Sequence, residues 1–302
     1  MKKAFRIVAW ILVPIIVLAG IVVYFGAIYV SEQNAAARPA CEQPAESAGG
    51  VTPVTVMSYN IRCFVPVTDA VDRWSNRKES VFGLIEAVNP DIFGVQELTM
   101  FQVSAFVDRF RDRYTMVGEA RDGIGLGERS AIFFRTDRFR LLEYGTAWLS
   151  ETPERPSIGW DASCNRVVTH VVLQDKTTGV VFAHYNTHFD HIGKVAQQQS
   201  GKLIADLIAA SEYPALLTGD FNVPEGGEVY QGLTKYFRDA KEVALQSSDA
   251  PTYQGYGKKS EVIDFVFLSG AVTVQSYRVI DRFDGIYPSD HSALVVEALI
   301  GA

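Results

Sequence analysis

The chain has few of the residues that build thiol-based metal sites. Its 302 residues include three cysteines and five histidines. Cys41, Cys63 and Cys164 are too few and too unevenly spaced to form a zinc ligand set. We expect them to be isolated thiols or to form one disulfide in an oxidising compartment, with no pairing assigned. Their scarcity counts against a cysteine-based zinc protein.

Positive charge is also scarce. The net charge is -7 and the isoelectric point is near 5.3, so the whole chain has no field that would attract a polyanion. The only arginine cluster, RFRDRYT, alternates with acids and indicates a helix surface rather than a nucleic-acid groove. The glycine-rich stretch RDGIGLGER lacks the Lys-Ser/Thr ending of a nucleotide-binding P-loop, and we interpret it as a flexible loop. Nucleic acid is therefore a partner that the charge does not indicate, although it is not excluded.

One long run near the start of the chain has no charge at all. Ile7–Val30 is long enough to cross a hydrocarbon core of about 30 Å as one transmembrane helix. Its length predicts an uncleaved signal anchor, while cleavage after the alanine-rich stretch that follows stays open. Basic residues precede the run, so the positive-inside rule places residues 1–6 in the cytoplasm as a short tail and the rest of the chain outside. We therefore expect a single-pass protein of the cell membrane.

The remainder divides into a linker and one domain. Residues 31–50 are rich in Ala, Glu, Pro, Ser and Gly without apolar periodicity, which predicts a flexible linker. Residues 51–302 contain many short strand-like runs and no internal repeat. Amphipathic helical patterns, RKESVFGLIEAVNP and GKVAQQQSGKLIADLIAASEYP, lie between some of the runs. This order predicts a mixed α/β domain built on two packed sheets.

Polar residues fall where the strand-like runs end. The runs SYN, GVQE, NTHFDH and LTGDFN end at Asn60, at Glu97, from His188 onward, and at Asp220 with Asn222. Asp264 in EVIDFVFL and the pair Asp290 and His291 in PSDHSALVV add two more polar positions. Each residue alone has an ordinary structural explanation, such as a turn, a helix cap or a satisfied core group. Because carboxylates are rarely buried without partners, we expect these strand ends to meet at one mouth.

Together and in this order, the motifs resemble a known family. SYNIR, VQE, NTHFDH, GDFN, IDFVF and SDHSAL are similar to motifs of the endonuclease/exonuclease/phosphatase superfamily, the deoxyribonuclease I-like group, over roughly residues 54–298. The resemblance implies a four-layer α/β/β/α sandwich, here preceded by one transmembrane helix, with the active site at one end of the two sheets. GWDASCNR and PTYQGYGKK resemble extracytoplasmic bacterial and deadenylase-like branches, which suggests a membrane-anchored bacterial member.

The resemblance also implies a metal site. Glu97 matches the acid that holds a divalent cation, and Asn60 is expected to assist through its amide oxygen or a bound water. Asp290 is a further candidate ligand. Hard oxygen ligands suit Mg²⁺, with Mn²⁺ or Ca²⁺ as substitutes, and make zinc less suitable.

The residues expected at the reacting phosphate follow from the same resemblance. Asp220 matches the carboxylate that orients or deprotonates the attacking water, and Asn222 the amide that binds a phosphoryl oxygen. Residues two apart in an extended segment face the same side, so both could address one phosphate. His291, paired with Asp264, acts as base or stabilises developing charge, and the proton is not assigned between it and Asp220. His188 contacts the phosphate or serves as general acid.

Four further residues have two open interpretations or a supporting role. Arg166 either forks onto the phosphate or forms a structural ion pair. Glu128 is a candidate partner for His188. Asp190 and His191 either support the site or continue into the helix that follows.

The implied reaction is metal-assisted, in-line attack of water on a phosphodiester. The expected substrate is extracytoplasmic: a lipid headgroup, a sugar phosphate or nucleic acid, and a phosphomonoester of a sugar or inositol is also open. One alternative is an extracytoplasmic magnesium-dependent nuclease acting on DNA or RNA. Another is a binding module that kept the fold without the chemistry, against which the complete set of site residues argues.

Overall fold

The computed structural model of the protein describes residues 13–20, 22–23, 26, 38–46, 49–65, 68, 70–123, 125 and 127–301. Among these residues no helix is both long and apolar enough to span a membrane. The predicted anchor Ile7–Val30 lies only partly within them, and the predicted tail 1–6 lies wholly outside. The chain divides into two compact units, Met1–Arg38 and Pro39–Ala302, and the second contains the sheets.

Two sheets form the centre of the second unit. Sheet A contains β1 (Val51–Asn60), β2 (Ile92–Thr99), β3 (Tyr114–Val117), β4 (Glu128–Arg135), β10 (Gln246–Ser247), β12 (Val272–Ile280) and β13 (Ala293–Gly301). Sheet B contains β5 (Phe139–Trp148), β6 (Val167–Asp175), β7 (Val181–His188), β8 (Ala215–Asp220), β9 (Arg238–Asp239) and β11 (Asp264–Ser269). The strand orders are β10-β12-β13-β1-β2-β4-β3 in sheet A and β5-β6-β7-β8-β11-β9 in sheet B.

Helices cover both outer faces. They are α1 (Trp74–Val88) and α2 (Met100–Phe110) on one side and α3 (Lys194–Ala209) and α4 (Glu228–Leu233) on the other. The short helix α5 (Ala240–Val243) packs Ala240 into the core between the sheets, and a 3-10 turn lies at Gly255–Gly257. Val56 and Leu216 belong to the apolar core between the sheets. Phe82 of α1 and Phe106 of α2 pack on sheet A, and Ile204 of α3 packs on sheet B. This layering of helices, two sheets and helices confirms the predicted α/β sandwich.

Local sequence signals set the helix ends near the functional side chains. Helix α1 ends at Asn89, which has a left-handed φ of 49°, immediately before Pro90. Helix α2 begins directly after β2, where the Gln102 side chain accepts the Thr99 N–H at 3.1 Å. This tight junction fixes the last residues of β2, including Glu97.

Part of the predicted linker belongs to the folded unit. The Glu42 N–H donates to the Leu141 carbonyl at 2.7 Å. The backbone of Ala45 both donates to and accepts from the Gln174 side chain, each at 2.8 Å. Strand β5 is an edge strand, so it offers backbone groups that a passing segment can pair with. Glu42 and Ala45 thus contact strands of the folded unit, and the linker boundary at residue 50 stays a prediction.

The register of the strands brings the polar strand ends to one level. Strands β7 and β8 run parallel with His188 opposite Asp220, and β11 runs antiparallel with Asp264 opposite Asp220. In sheet A, β1 ends at Asn60 and the parallel strand β2 carries Glu97 near its end. We call this end of the sandwich the mouth, defined by these five residues. The prediction that separate strand ends meet is confirmed.

Candidate active site

Asp220 lies at the centre of the mouth and is 2% exposed. Its Oδ2 accepts a hydrogen bond from Asn60 Nδ2 at 3.0 Å. The same oxygen lies 3.5 Å from His188 Nε2 and 3.7 Å from His291 Nε2. Its Oδ1 accepts the backbone N–H of Asn222 at 3.0 Å. One carboxylate thus contacts groups delivered by both sheets.

The surroundings of Asp220 make it a weak acid. Burial raises the pKa of Asp220 to about 7, with the nearby Asp264 carboxylate adding to the rise and His291 and Asn60 opposing it. Among the described residues, its ion-pair partners are the two histidines. A carboxylate whose pKa lies near neutrality can take a proton from a water molecule and release it again at neutral pH.

His291 is fixed by Asp264. Its Nδ1 lies 2.9 Å from Asp264 Oδ2, and the Asp264 backbone N–H donates to Thr252 Oγ1 at 3.0 Å. Burial lowers the pKa of His291, but the charges of Asp264 and Asp220 outweigh it and raise the pKa to about 10. The imidazole therefore carries a positive charge at neutral pH, with Nε2 turned toward Asp220.

Glu97 reaches the mouth through an irregularity in β2. The register between β2 and β4 shifts between Val95 and Leu98, and Glu97 has a φ of 62°. Its Oε2 accepts the Cys63 N–H at 2.7 Å, and its Oε1 accepts Asn60 Nδ2 at 3.1 Å. Burial raises the pKa of Glu97, but the Cys63 hydrogen bond and nearby positive charges bring it below its ordinary value. Glu97 is therefore ionised at neutral pH.

Asp290 and Glu97 form an acidic corner. Burial raises the pKa of Asp290, and repulsion from Glu97 contributes to the rise. Arg62 Nε lies 3.8 Å from Asp290 Oδ2 and 3.3 Å from Asp72 Oδ1, so two carboxylates share one guanidinium. A hard divalent cation fits this corner because its preferred ligands are carboxylate oxygens and its charge would relieve the repulsion.

Asn60 connects the carboxylates of the two sheets. Its Nδ2 donates to Glu97 Oε1 and Asp220 Oδ2, while its Oδ1 accepts the Arg62 N–H at 3.0 Å. The oxygen expected to face a cation is thus engaged by a backbone donor. Assistance through a bound water remains a prediction.

A second donor set lies beside the first. Within the part of the chain that the structure describes, Asp220, Asp264 and His291 bring three ligand atoms within 4.8 Å of one another. The charges of Asp264 and Asp220 keep His291 protonated, so a positive charge already lies between the two carboxylates. This trio is therefore organised around a protonated imidazole.

His188 occupies the other side of Asp220, in a basic environment. Burial lowers the pKa of His188 well below its ordinary value, and the charges of Arg166 and Arg121 lower it further. Its imidazole is therefore neutral at neutral pH. Its Nδ1 lies 4.0 Å from Glu128 Oε2, which Arg121 Nη1 binds at 2.7 Å. The predicted partner Glu128 is adjacent, although this separation exceeds a hydrogen bond.

Asp190 has a structural role. Its Oδ1 accepts the N–H groups of Ile192 and Gly193 at 2.9 and 2.8 Å. Its Oδ2 accepts Ser163 Oγ at 2.7 Å and lies 3.5 Å from Arg166 Nε. These bonds fix the turn into α3 and the loop that carries Arg166. Of the two interpretations open for Asp190, the structure favours the structural one.

Arg166 forms the predicted ion pair, and its contact with a phosphate remains a prediction. It is 5% exposed, and besides Asp190 its Nη2 contacts His191 Nδ1 at 3.1 Å. Its Nη1 has no hydrogen-bond partner among the described residues. The side chain lines a cavity of about 10 Å³ together with Arg121 and His188, large enough for one water-sized group. Arg166 is thus ion-paired and still has a donor available beside His188.

Asn222 reaches the mouth by a turn. Strand β8 ends at Asp220, and Asn222 has a left-handed φ of 52°. The strand alternation from which we expected both side chains to face one side was therefore the wrong reason for their proximity. Asn222 Nδ2 donates to the Phe189 carbonyl at 3.0 Å. A hydrogen bond from the second N–H of Asn222 Nδ2 to a phosphoryl oxygen remains a prediction.

Three residues at the mouth were not predicted. Arg62 lies beside Asp290, Arg121 beside Glu128, and the Tyr253 ring centroid lies 4.8 Å from that of His291. All three occur inside stretches that the sequence singles out, SYNIR, RDGIGLGER and PTYQGYGKK. The motif was the available signal, but the direction of each side chain depends on loop conformation.

Known proteins are similar to this chain in sequence and in fold. Residues 57–291 match the Endonuclease/Exonuclease/phosphatase family. The chain is 33% identical to a family protein of Bacteroides thetaiotaomicron, with a TM-score of 0.78 over 84% of this chain and 100% of that one. It is also 33% identical to the Bacteroides thetaiotaomicron mannosyl-6-phosphatase Bt3783, with a TM-score of 0.75 over 81% and 99%.

A viral relative extends the comparison. The uncharacterized protein L388 of Acanthamoeba polyphaga mimivirus is 26% identical over 232 residues, which are 70% of this chain and 86% of that protein. Since the family match runs from β1 to His291, it includes every strand end that forms the mouth. The chain belongs to the endonuclease/exonuclease/phosphatase family.

Proposed function

We propose that the chain is a divalent-metal-dependent phosphoesterase that hydrolyses its substrate by in-line attack of water. As a member of its family it is a hydrolase acting on phosphoester bonds. The observation that carries the finer proposal is the position of Asp220, buried between a neutral His188 and a protonated His291. Their opposite protonation states give the two sides of one carboxylate different chemistry.

Asp220 is the proposed base. With a pKa near 7, it can orient a water molecule and accept its proton as the water attacks phosphorus. His291, held as a cation by Asp264, offsets the negative charge that develops on the phosphoryl oxygens. On the other side, neutral His188 and the free Nη1 of Arg166 can donate hydrogen bonds to the phosphoryl group.

Glu97 and Asp290 would hold the divalent cation, with Asn60 holding Glu97 in place. Mg²⁺ is the proposed ion, and Mn²⁺ or Ca²⁺ could replace it. When bound, it supplies charge stabilisation at the phosphate oxygens.

The substrate is proposed to be an extracytoplasmic phosphoester. The net charge of -7 supports a lipid headgroup or sugar phosphate over DNA or RNA. The similarity to a mannosyl-6-phosphatase supports a sugar phosphomonoester, which would replace the phosphodiester as the preferred substrate. A nuclease is the second candidate because the same site can hydrolyse a nucleic-acid diester.

Location follows from the sequence of the first thirty residues. We propose that Ile7–Val30 anchors the chain in the cell membrane with the catalytic unit outside the cytoplasm. The absence of charge in this run and the basic residues before it support the proposal.

A substrate panel tests this proposal. The full-length chain would be assayed with Mg²⁺ and with EDTA on mannose 6-phosphate, inositol phosphates, phosphatidylinositol, sphingomyelin, bis-p-nitrophenyl phosphate, plasmid DNA and RNA. We expect metal-dependent turnover of a lipid or sugar phosphoester that Asp220→Ala abolishes and the exposed control Lys202→Ala leaves intact. Cleavage of nucleic acid alone would favour the nuclease, and no turnover of any substrate would favour a binding module.

A further inference from the structure

A layer of buried polar side chains lies directly beneath the mouth. Its members are Ser58 of β1, Gln96 of β2, Asn186 of β7 and Thr218 of β8, each at most 1% exposed. Three of them precede a residue of the mouth by two positions and so point to the same face of their strand: Ser58 before Asn60, Asn186 before His188, and Thr218 before Asp220. Polar groups this deep need partners. They find them in one another and in the backbone, except for Gln96 Oε1, which has no partner among the described residues.

Asn186 is the member that joins the two sheets. From sheet B, its Nδ2 donates to the carbonyls of Val95 at 3.1 Å and Ala131 at 2.9 Å, both in sheet A. Its Oδ1 accepts Gln96 Nε2 at 2.7 Å and Thr218 Oγ1 at 3.0 Å. Both donor hydrogens and both acceptor positions of this amide are therefore used.

The two backbone carbonyls mark the start of the irregularity that delivers Glu97. Val95 and Ala131 are the last paired residues before the register of β2 and β4 shifts. Pairing resumes at Leu98, so Gln96 and Glu97 together stand opposite a single residue of β4. The left-handed φ of Glu97 is strained for a residue with a side chain and persists only where its surroundings hold it.

Gly94 makes room for this contact. A Cβ added at Gly94 would overlap the side-chain oxygens of Asn186 and Thr218. The absence of a side chain in β2 thus lets the amide of sheet B reach the backbone of sheet A. The close approach is local to the layer beneath the mouth.

We propose that Asn186 is a positioning residue for the divalent cation site: it clamps β2 and β4 where their register shifts, and so sets the position of Glu97. The inference rests on the proposed function, in which Glu97 is a metal ligand. Groups that orient a metal ligand commonly change metal affinity by about 10- to 100-fold when they are removed.

Direct metal binding tests this role without a substrate. Mn²⁺ affinity of the full-length native chain, Asn186→Ala and Thr187→Val would be measured by electron paramagnetic resonance. Thr187 is the matched control: it lies on the same strand and is equally buried, but its Oγ1 donates to Val167 within sheet B. We expect Asn186→Ala to bind Mn²⁺ at least about tenfold more weakly than the native chain, and Thr187→Val to bind it with native affinity. This difference should hold even where both substitutions lower the melting temperature alike.

The outcomes separate the inference from the function on which it rests. If the native chain binds Mn²⁺ and folded Asn186→Ala binds it equally well, the positioning role is overturned. If the native chain and Glu97→Gln bind alike, or the native chain binds none, the proposed metal site fails instead. Should Asn186→Ala not fold, Thr218→Val removes one hydrogen bond to Asn186 while keeping its volume; we expect about threefold weaker Mn²⁺ binding, and native affinity would overturn the role.

Discussion

The two ends of the sandwich both bury acids, but they neutralise them differently. The closed end, opposite the mouth, is defined by Thr52, Asp91, Arg138 and Asp175. Arg138 Nη1 lies 2.6 Å from Asp91 Oδ1, and its Nη2 lies 3.0 Å from Asp175 Oδ2. Thr52 Oγ1 also donates to Asp175 Oδ2 at 2.7 Å. Burial raises the pKa of Asp175, but hydrogen bonds from Thr52, from the backbone N–H groups of Thr178 and Thr177, and from Arg138 outweigh it and bring the pKa below its ordinary value.

Asp220 at the mouth and Asp290 beside it have no such arginine of their own among the described residues. Asp220 has two histidines as its ion-pair partners among the described residues, and Asp290 shares Arg62 with Asp72. The pKa values of both Asp220 and Asp290 are raised, chiefly by burial. The acids of the closed end therefore stabilise the fold, whereas Asp220 and Asp290 are kept reactive at a cost to stability.

Removing the positive charge of His291 at the mouth should cause the largest loss of activity. We expect His291→Gln to lower kcat about 1,000-fold, because the imidazolium that faces Asp220 and offsets charge on the phosphate is then lost. Steady-state rates with Mg²⁺, together with melting temperatures, provide the measurement. A loss below tenfold in a folded variant would remove the distinction between the mouth and the closed end.

Removing the positive charge of Arg138 at the closed end should have the opposite consequence, a loss of stability without a loss of activity. Arg138→Ala leaves the carboxylates of Asp91 and Asp175 without their shared partner, so we expect the free energy of unfolding to fall by about 3 kcal/mol. The activity of the folded variant should remain native because the mouth is unchanged. Urea denaturation and initial rates on one preparation test both statements, and a selective loss of activity would contradict them.

Asp264→Asn should change the pH dependence of stability through the pKa of His291. Burial lowers the pKa of His291 and Asp264 raises it, so the substitution should lower it from about 10 toward its ordinary range. A folded-state pKa above the unfolded value gives stability that is full below about pH 6.5 and is lost as pH rises through the folded pKa. We also expect activity to fall about 30-fold.

Denaturant titrations of the metal-free protein from pH 6 to 10 measure this effect. Native stability should decline between pH 7 and 10, and the decline in Asp264→Asn should be smaller and lie at lower pH. Identical pH profiles would show that Asp264 does not hold the proton on His291.

The smallest effect is expected at His191. This side chain is exposed and contacts Arg166 Nη2 through Nδ1, while Asp190 still holds the guanidinium. We expect His191→Ala to keep activity within about twofold of native. A larger change in KM for the substrate would move His191 into the binding site.

The sequence was sufficient to predict the acids of the mouth because their positions conflict with burial. Asp220 and Asp264 sit at the ends of otherwise apolar runs, where an isolated carboxylate would be costly. Ordinary sheet geometry brings the ends of two such strands together when the strands are neighbours in one sheet. One helix of each outer layer, α1 and α3, could likewise be anticipated from its apolar periodicity.

Features set by backbone conformation could not be predicted. Nothing in GVQELT reveals the positive φ of Glu97, and GDFN does not show that Asn222 leaves the strand in a left-handed turn. Glu42 and Ala45 looked like linker residues because their hydrogen-bond partners lie on the distant strands β5 and β6. In each case the deciding contact is long-range, which local propensity does not contain.

The hydrolysis rate of Asp220→Asn tests whether Asp220 is the base. Hydrolysis by this variant would be compared with native in the presence of Mg²⁺, alongside the melting temperatures of both. The account predicts at least a 1,000-fold lower kcat with an equal or higher melting temperature, because an uncharged amide avoids burying the carboxylate charge. A rate within tenfold of native, or a loss that follows from unfolding, would contradict it.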